Sequence, residues 1–219
     1  MKEKYLFDYL APTTVNPAVP EPAAVRQQTV QNTSLAELAQ TVVQCRRCPL
    51  RAGASQVVFG TGNTQAQLLL VGEGPGAEED AQGLPFVGAA GKLLTKILAS
   101  VDISREEVYI TNVVKCRPPG NRAPSAKEIE TCLPHLLAQI ELLNPQIILC
   151  LGAVATKALI DPQASVSLIR GKWLERKGRK IMATFHPAAL LRDQSKKRPV
   201  WYDIQKVRDV YRSLSQGGD

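Results

Sequence analysis

No stretch of this sequence approaches the roughly 20 consecutive apolar residues that a membrane-spanning helix requires. The first ten residues also lack the basic-then-apolar order of a secretory signal. Cysteine is scarce, odd in number at five and unevenly spaced, which argues against the disulfide framework of a secreted domain. Histidine occurs only at His135 and His186. Two nucleotide-binding signatures are missing as well. Gly91-Lys92-Leu93 lacks the hydroxyl that ends a phosphate-cradling loop, and Gly72-Glu73-Gly74-Pro75-Gly76-Ala77 sets its glycines at the wrong offsets for a dinucleotide fingerprint. These absences lead us to expect a cytoplasmic chain associated with the nucleoid, with no membrane partner.

With 219 residues, 44% of them apolar, the chain can bury a substantial core as one large domain, or one domain plus a tail. The 27 basic residues outnumber 20 acidic ones for a net +7, which favours a polyanionic partner; a solvated charged face is the plain alternative. Residues 1–33 hold Pro12, Pro17, Pro20 and Pro22 without a sustained period and read as a flexible tail. The folded domain is expected over 34–214, and a disordered end over 215–219.

Apolar runs at 68–71, 108–110, 146–151 and 180–185 read as strands, with helical patterns between them. Ser34 with Glu37, and Ser125 with Glu128, have the spacing of capping boxes. Residues 201–214 read as an amphipathic closing helix. Strand and helix alternate from 68 to 185, which predicts a parallel sheet sandwiched by helices.

The chemistry-bearing residues gather where the predicted strands end. Glu73, Glu78, Glu79 and Asp80 stand among Gly74, Pro75, Gly76 and Gly83, so carboxylates sit on backbone that can approach a ligand closely, with Phe86 just beyond. Acidic residues at a helix start also complement its dipole, and that alternative stands beside the pocket reading. Asn112 ends the second strand, where its amide offers both donor and acceptor to a base edge or else bonds its own turn. His186 ends the fourth, while His135 falls inside the helix capped by Ser125.

Cys45-Arg46-Arg47-Cys48 has three readings: a redox pair, half of a metal site, or chance. The pair ends a helix instead of opening one from a strand, which lowers the redox reading. A metal site needs two more soft ligands, and Cys116 and Cys132 supply them; zinc and an iron–sulfur cluster both suit four thiolates. Cys150 lies within an apolar run and reads as core packing.

Together, Gly72-Glu73-Gly74-Pro75-Gly76, Gly83-Leu84-Pro85-Phe86-Val87-Gly88, the run from Thr111 through Pro119, Phe185-His186-Pro187-Ala188 and the four cysteines resemble the family 4, iron–sulfur uracil-DNA glycosylases. The likeness covers about residues 35–211. It implies a three-layer α/β/α sandwich with a central four-stranded parallel sheet, and a [4Fe–4S] cluster on Cys45, Cys48, Cys116 and Cys132. It also implies hydrolysis of the N-glycosidic bond of deoxyuridine in single- or double-stranded DNA, leaving uracil and an abasic site, by a monomer. In that pattern Phe86 stacks on flipped uracil, Asn112 bonds its edge and Gly74 backbone helps fix it; because the departing uracil carries negative charge, a neutral or protonated His186 near O2 is expected to stabilise it. Glu73 is the first choice for the carboxylate that steadies the sugar cation, then Glu79 and Asp80. Leu190, Leu191 and Arg192 stand where a wedge enters the duplex, and Arg117 and Arg122 are expected on phosphate. Glu73 favours family 4 over family 5, and 115–127 contains no histidine of the kind that traps the abasic sugar covalently. Two alternatives are a non-catalytic nucleic-acid-binding protein holding zinc or a cluster, and a glycosylase for another deaminated base.

Overall fold

Leu68, Leu70, Ile147 and Leu149 pack with one helical layer, and Leu69, Val71, Ile148 and Cys150 with the other. The two-residue period of a strand therefore divides a continuous apolar run between opposite faces, as a sheet covered on both sides requires. The computed structural model describes residues 34–216; the expected tail, 1–33, and residues 217–219 of the expected disordered end lie outside the described residues.

The strands are β1 Thr61–Gly62, β2 Leu68–Gly72, β3 Tyr109–Asn112, β4 Ile147–Leu151, β5 Trp173–Arg176 and β6 Arg179–Thr184, in the spatial order β1-β3-β2-β4-β6-β5. The expected four parallel strands form the centre, β3-β2-β4-β6. The sheet has six strands instead of four, because a short antiparallel strand is added at each edge. At one edge, Lys177 and Gly178 both adopt positive φ, 48° and 72°, as a two-residue hairpin turn needs, and fold β5 back onto β6.

The helices are α1 Leu35–Val43, α2 Leu50–Gly53, α3 Ala77–Gln82, α4 Ala89–Ala99, α5 Ala126–Leu143, α6 Ala153–Leu159, α7 Val166–Ile169, α8 Pro187–Arg192 and α9 Lys197–Gln216. Leu94 and Leu98 of α4 with Ile204 and Val207 of α9 cover one face. Leu136 and Ile140 of α5 with Ala155 and Leu159 of α6 cover the other. Both expected capping boxes form: Ser34 Oγ accepts from the Glu37 amide at 3.2 Å, Ser125 Oγ from that of Glu128 at 3.3 Å, and each glutamate returns the bond. Pro134 lies within α5 without ending it.

β3 follows β2 in sequence and pairs with it on one side, while β4 pairs on the other. The sheet therefore reverses its direction of growth at β2, and a crevice opens beyond the carboxyl ends of β2, β3 and β4.

Candidate active site and four-cysteine cavity

A cleft of about 320 Å³ occupies this crevice, with Glu73, Gly74, Phe86, Asn112, His186 and Arg192 in its wall. Its floor begins at Gly72, the register partner of Asn112. A Cβ on Gly72 would collide with the Asn112 amide oxygen and come within 2.6 Å of the Phe86 ring, so glycine lets both side chains lie over the strand end. Asn112 is 2% exposed, and its Oδ1 has no hydrogen-bond partner among the described residues. A buried acceptor without a donor is costly in a folded protein and marks a place where a ligand N–H fits.

Phe86 takes φ +54°, a left-handed conformation that strains a bulky residue by about 1–3 kcal/mol. Its neighbours hold it there. Glu79 Oε1 accepts from the amides of Val87 and Gly88, both at 2.9 Å, and Oε2 from that of Gly76 at 3.1 Å. Arg105 donates to the Pro85 carbonyl at 2.6 Å, and Gly91 makes room for the Phe86 backbone, which any Cβ there would overlap.

His186 leaves β6 as the N-cap of α8. Its Nδ1 accepts from the Ala188 amide at 3.2 Å, which places the ring proton of the neutral imidazole on Nε2. The ring centroid is 5.5 Å from that of Phe86, with 31° between the planes. Gly152, at φ +88°, backs the histidine, since a Cβ there would stand 2.8 Å from His186 Cβ. Burial lowers the imidazole pKa to about 4; nearby Arg192 adds to the effect and Glu79 opposes it. Burial moves Glu73 the other way, raising its carboxyl above the ordinary range against the pull of Arg192.

The structure separates the other expected site residues. Asp80 is 4% exposed and lies outside the cleft wall, its Oδ1 accepting from the amides of Ser55 at 2.9 Å and Gln56 at 3.3 Å. It clamps a loop and is corrected from candidate catalyst to structural carboxylate. Glu79 reaches the cleft, but the three amides it accepts make it the support of the Phe86 turn. Leu190 is 2% exposed and packed inside, so it cannot enter a duplex, whereas Leu191 on the same helix is 51% exposed. Both terminal nitrogens of Arg122 bond Glu128, at 2.8 and 2.7 Å, and hold that carboxyl down at about 2. That guanidinium lines the cleft, 47% exposed, so a phosphate arriving at the expected contact would meet it already paired to Glu128. Arg117 donates through Nε to Asn121 at 2.7 Å.

Cys45 and Cys48 beyond α1, Cys116 beyond β3 and Cys132 on α5 line one small cavity, with buried His135 beside them. All four are free thiols. Burial pushes the Cys116 thiol up to about 12; Cys132, Cys48 and Cys45 add to the effect and Arg51 opposes it, as expected of sulfurs that neighbour one another. Among the described residues no group of three or more His, Cys, Asp or Glu side chains is drawn together around a single ion position. The all-sulfur donor set suits a soft, thiolate-held centre. His135 lines the same cavity, and its Nε2 has no hydrogen-bond partner among the described residues. Cys150 is fully buried core packing, as expected.

Sequence reasoning missed Lys115. It belongs to a basic run that reads as an irregular loop, yet it is 1% exposed. Its Nζ donates to Thr111 Oγ1 at 2.7 Å, to the Asn112 carbonyl at 2.8 Å and to Gln139 Oε1. Burial brings its ammonium down to about 7, with Cys132 opposing. The available signal was its company: Val113 and Val114 precede it, and Gln139 falls on the apolar face of α5 with Leu136 and Ile140.

The sequence pattern of the uracil DNA glycosylase superfamily matches residues 59–205, from just before β1 into α9. The type-4 uracil-DNA glycosylase of Thermotoga maritima is 47% identical over 177 residues, covering 78% of this chain and 91% of that protein. The type-4 enzyme of Archaeoglobus fulgidus is 41% identical over 185 residues, covering 81% and 93%. A type-5 uracil-DNA glycosylase of Pyrobaculum aerophilum is more distant, at 29% over 182 residues, covering 68% and 80%. The matched region contains every cleft residue described above, and the chain belongs to the uracil DNA glycosylase superfamily, in its type-4 branch.

Proposed function

We propose that this protein excises uracil from DNA by hydrolysing the N-glycosidic bond of deoxyuridine, leaving free uracil and an abasic site. The buried Asn112 amide oxygen, without a partner among the described residues, in a cleft shared with Phe86 and His186 carries this reading. A base in a duplex is out of reach until its nucleotide is extruded into such a pocket. Phe86 then offers a stacking face, which binds any base with little discrimination. Asn112 discriminates: its Oδ1 accepts from uracil N3–H and its amide donates to O4, whereas cytosine presents an acceptor and a donor in the reverse order.

As the bond to the sugar breaks, negative charge grows on the base and positive charge on the sugar. The neutral His186 donates from Nε2 to uracil O2, and Gly74 backbone helps fix the ring. Glu73 faces the sugar, steadies its cationic character and orients a water, whose hydroxyl goes to C1′ while its proton is left for the departing base. Leu191 and Arg192 engage the DNA where the nucleotide has left the stack, one by filling space and the other by meeting phosphate.

The four sulfurs fit a [4Fe–4S] cluster, held by Cys45, Cys48, Cys116 and Cys132. When bound, it supplies a covalent tie between the end of α1, the segment beyond β3 and α5, which holds in place the loop that carries Arg117 and Arg122 toward DNA, while Lys115 stays buried. The cleft groups and all four sulfur ligands come from one chain, so no second copy is needed to complete either site, and we propose a monomer acting in the compartment that holds DNA. Release of uracil from a uracil-containing oligonucleotide tests the activity. Iron and sulfide content with the visible spectrum tests the cysteine site, where stoichiometric zinc would replace the cluster assignment.

A further inference from the structure

We infer that Lys115 is a positioning residue for base recognition, pinning the Asn112 peptide from beneath the cleft on the side that faces the four-cysteine cavity. The inference rests on the uracil reading of Asn112. Because Oδ1 of Asn112 has no partner among the described residues, the direction of the amide is set by packing over Gly72 and by the backbone that carries it. That backbone ends a strand. Val113 still donates to the Gly72 carbonyl at 3.0 Å, but the Asn112 carbonyl takes the Lys115 ammonium at 2.8 Å. The ammonium is fixed in turn by Thr111 Oγ1 at 2.7 Å and by Gln139 Oε1, which fill its three donors. Thr111 and Gln139 are themselves anchored, both donating to the Phe59 carbonyl, at 2.7 and 3.0 Å.

Lys115 therefore closes a buried polar network with no slack, and a hydrogen-bonding group has to be held within about half an ångström to act. Its other neighbours are the sulfurs. Lys115 precedes Cys116 and lines the cysteine cavity with Cys132, so the groups that hold a thiolate-bound centre and the group that holds the base reader share one buried cation. A residue serving stability alone would alter the melting temperature and leave uracil affinity untouched.

The test uses the full chain with its native metal content, as wild type, Lys115→Met and Thr111→Val. Melting temperature, iron and sulfide content, inhibition by free uracil and steady-state kinetics on a uracil oligonucleotide are measured for each. We expect folded Lys115→Met with wild-type metal content to bind free uracil roughly tenfold more weakly and to lose about a hundredfold in kcat/KM. Thr111→Val removes one of three acceptors and shifts both quantities in the same direction, by less. Wild-type uracil affinity and kcat/KM in folded Lys115→Met would overturn the inference. If that variant does not fold, wild-type uracil affinity in Thr111→Val overturns it instead. A wild-type protein that releases no uracil would sink the functional reading itself, an outcome distinct from either.

Discussion

Asn112 and Gly72 are register partners on neighbouring parallel strands, and the amide oxygen of Asn112 occupies the space in which a β-carbon on residue 72 would stand. The same missing carbon makes room for the edge of the Phe86 ring. One hydrogen side chain thus sets the relative height of the group that reads a base and the group that stacks on it.

Gly72→Ala should displace both at once. A misplacement of about 1 Å costs on the order of a hundredfold in rate, so kcat/KM on a uracil oligonucleotide should fall by at least about that much. Steady-state kinetics beside a thermal melt checks it; a folded variant with wild-type kcat/KM would show that Gly72 does not set the geometry.

His186 should leave a pH signature in stability. Its folded pKa is lowered to about 4 from 6.5, so between those values the unfolded chain binds the proton and the folded one does not. The His186 contribution to stability therefore falls as pH drops through that window, by on the order of 3 kcal/mol, and that contribution levels off below it. Glu73, whose folded pKa is raised, protonates first in the folded state and offsets part of this loss. His186→Gln should flatten the slope in calorimetric melts across the window. An unchanged slope would contradict the neutral, Nε2-protonated imidazole.

Glu73 and Asp80 should separate cleanly. Asp80→Asn weakens two amide contacts of a buried clamp and should cost about 1–3 kcal/mol of stability while leaving kcat near wild type. Glu73→Gln should do the reverse, keeping the fold and lowering kcat by about a hundredfold or more. Denaturant titration paired with single-turnover kinetics distinguishes them; a kcat loss confined to Asp80→Asn would reverse the assignment.

Leu190 and Leu191 make a second contrast on one helix. Leu190→Ala should cost about 2–5 kcal/mol of stability as a core truncation. Leu191→Ala should leave stability unchanged and weaken excision from duplex more than from single strands, because only a duplex needs its gap filled. Equal losses on both substrates would remove the wedge role.

The parallel core and most of the cleft were legible because their signals are local. An apolar run that stops at Gly72, an asparagine after Tyr109-Ile110-Thr111 and a histidine after the last parallel strand all mark strand ends, and strand ends converge in this topology. The functions of Asp80, Arg122 and Lys115 were hidden because their partners are set by the fold: Ser55 and Gln56 for the first, Glu128 for the second, and Gln139 on the core-facing side of α5 for the third. Leu190 and Leu191 are adjacent in sequence, and only the docking of α8 decides which is buried. Of the edge strands, β1 has only two residues and β5 lacks the continuous buried run of the central strands, although Lys177-Gly178 marks the hairpin that makes β5.

The most direct measurement is release of free base from paired oligonucleotides that differ only by uracil or cytosine at one position, with the wild-type protein and Asn112→Ala in parallel. Wild type should release uracil, leave an abasic site and spare cytosine, and Asn112→Ala should lose most of the uracil release while still binding DNA. Wild-type binding without release of uracil, or uracil release that is indifferent to Asn112, would contradict the role assigned to this cleft.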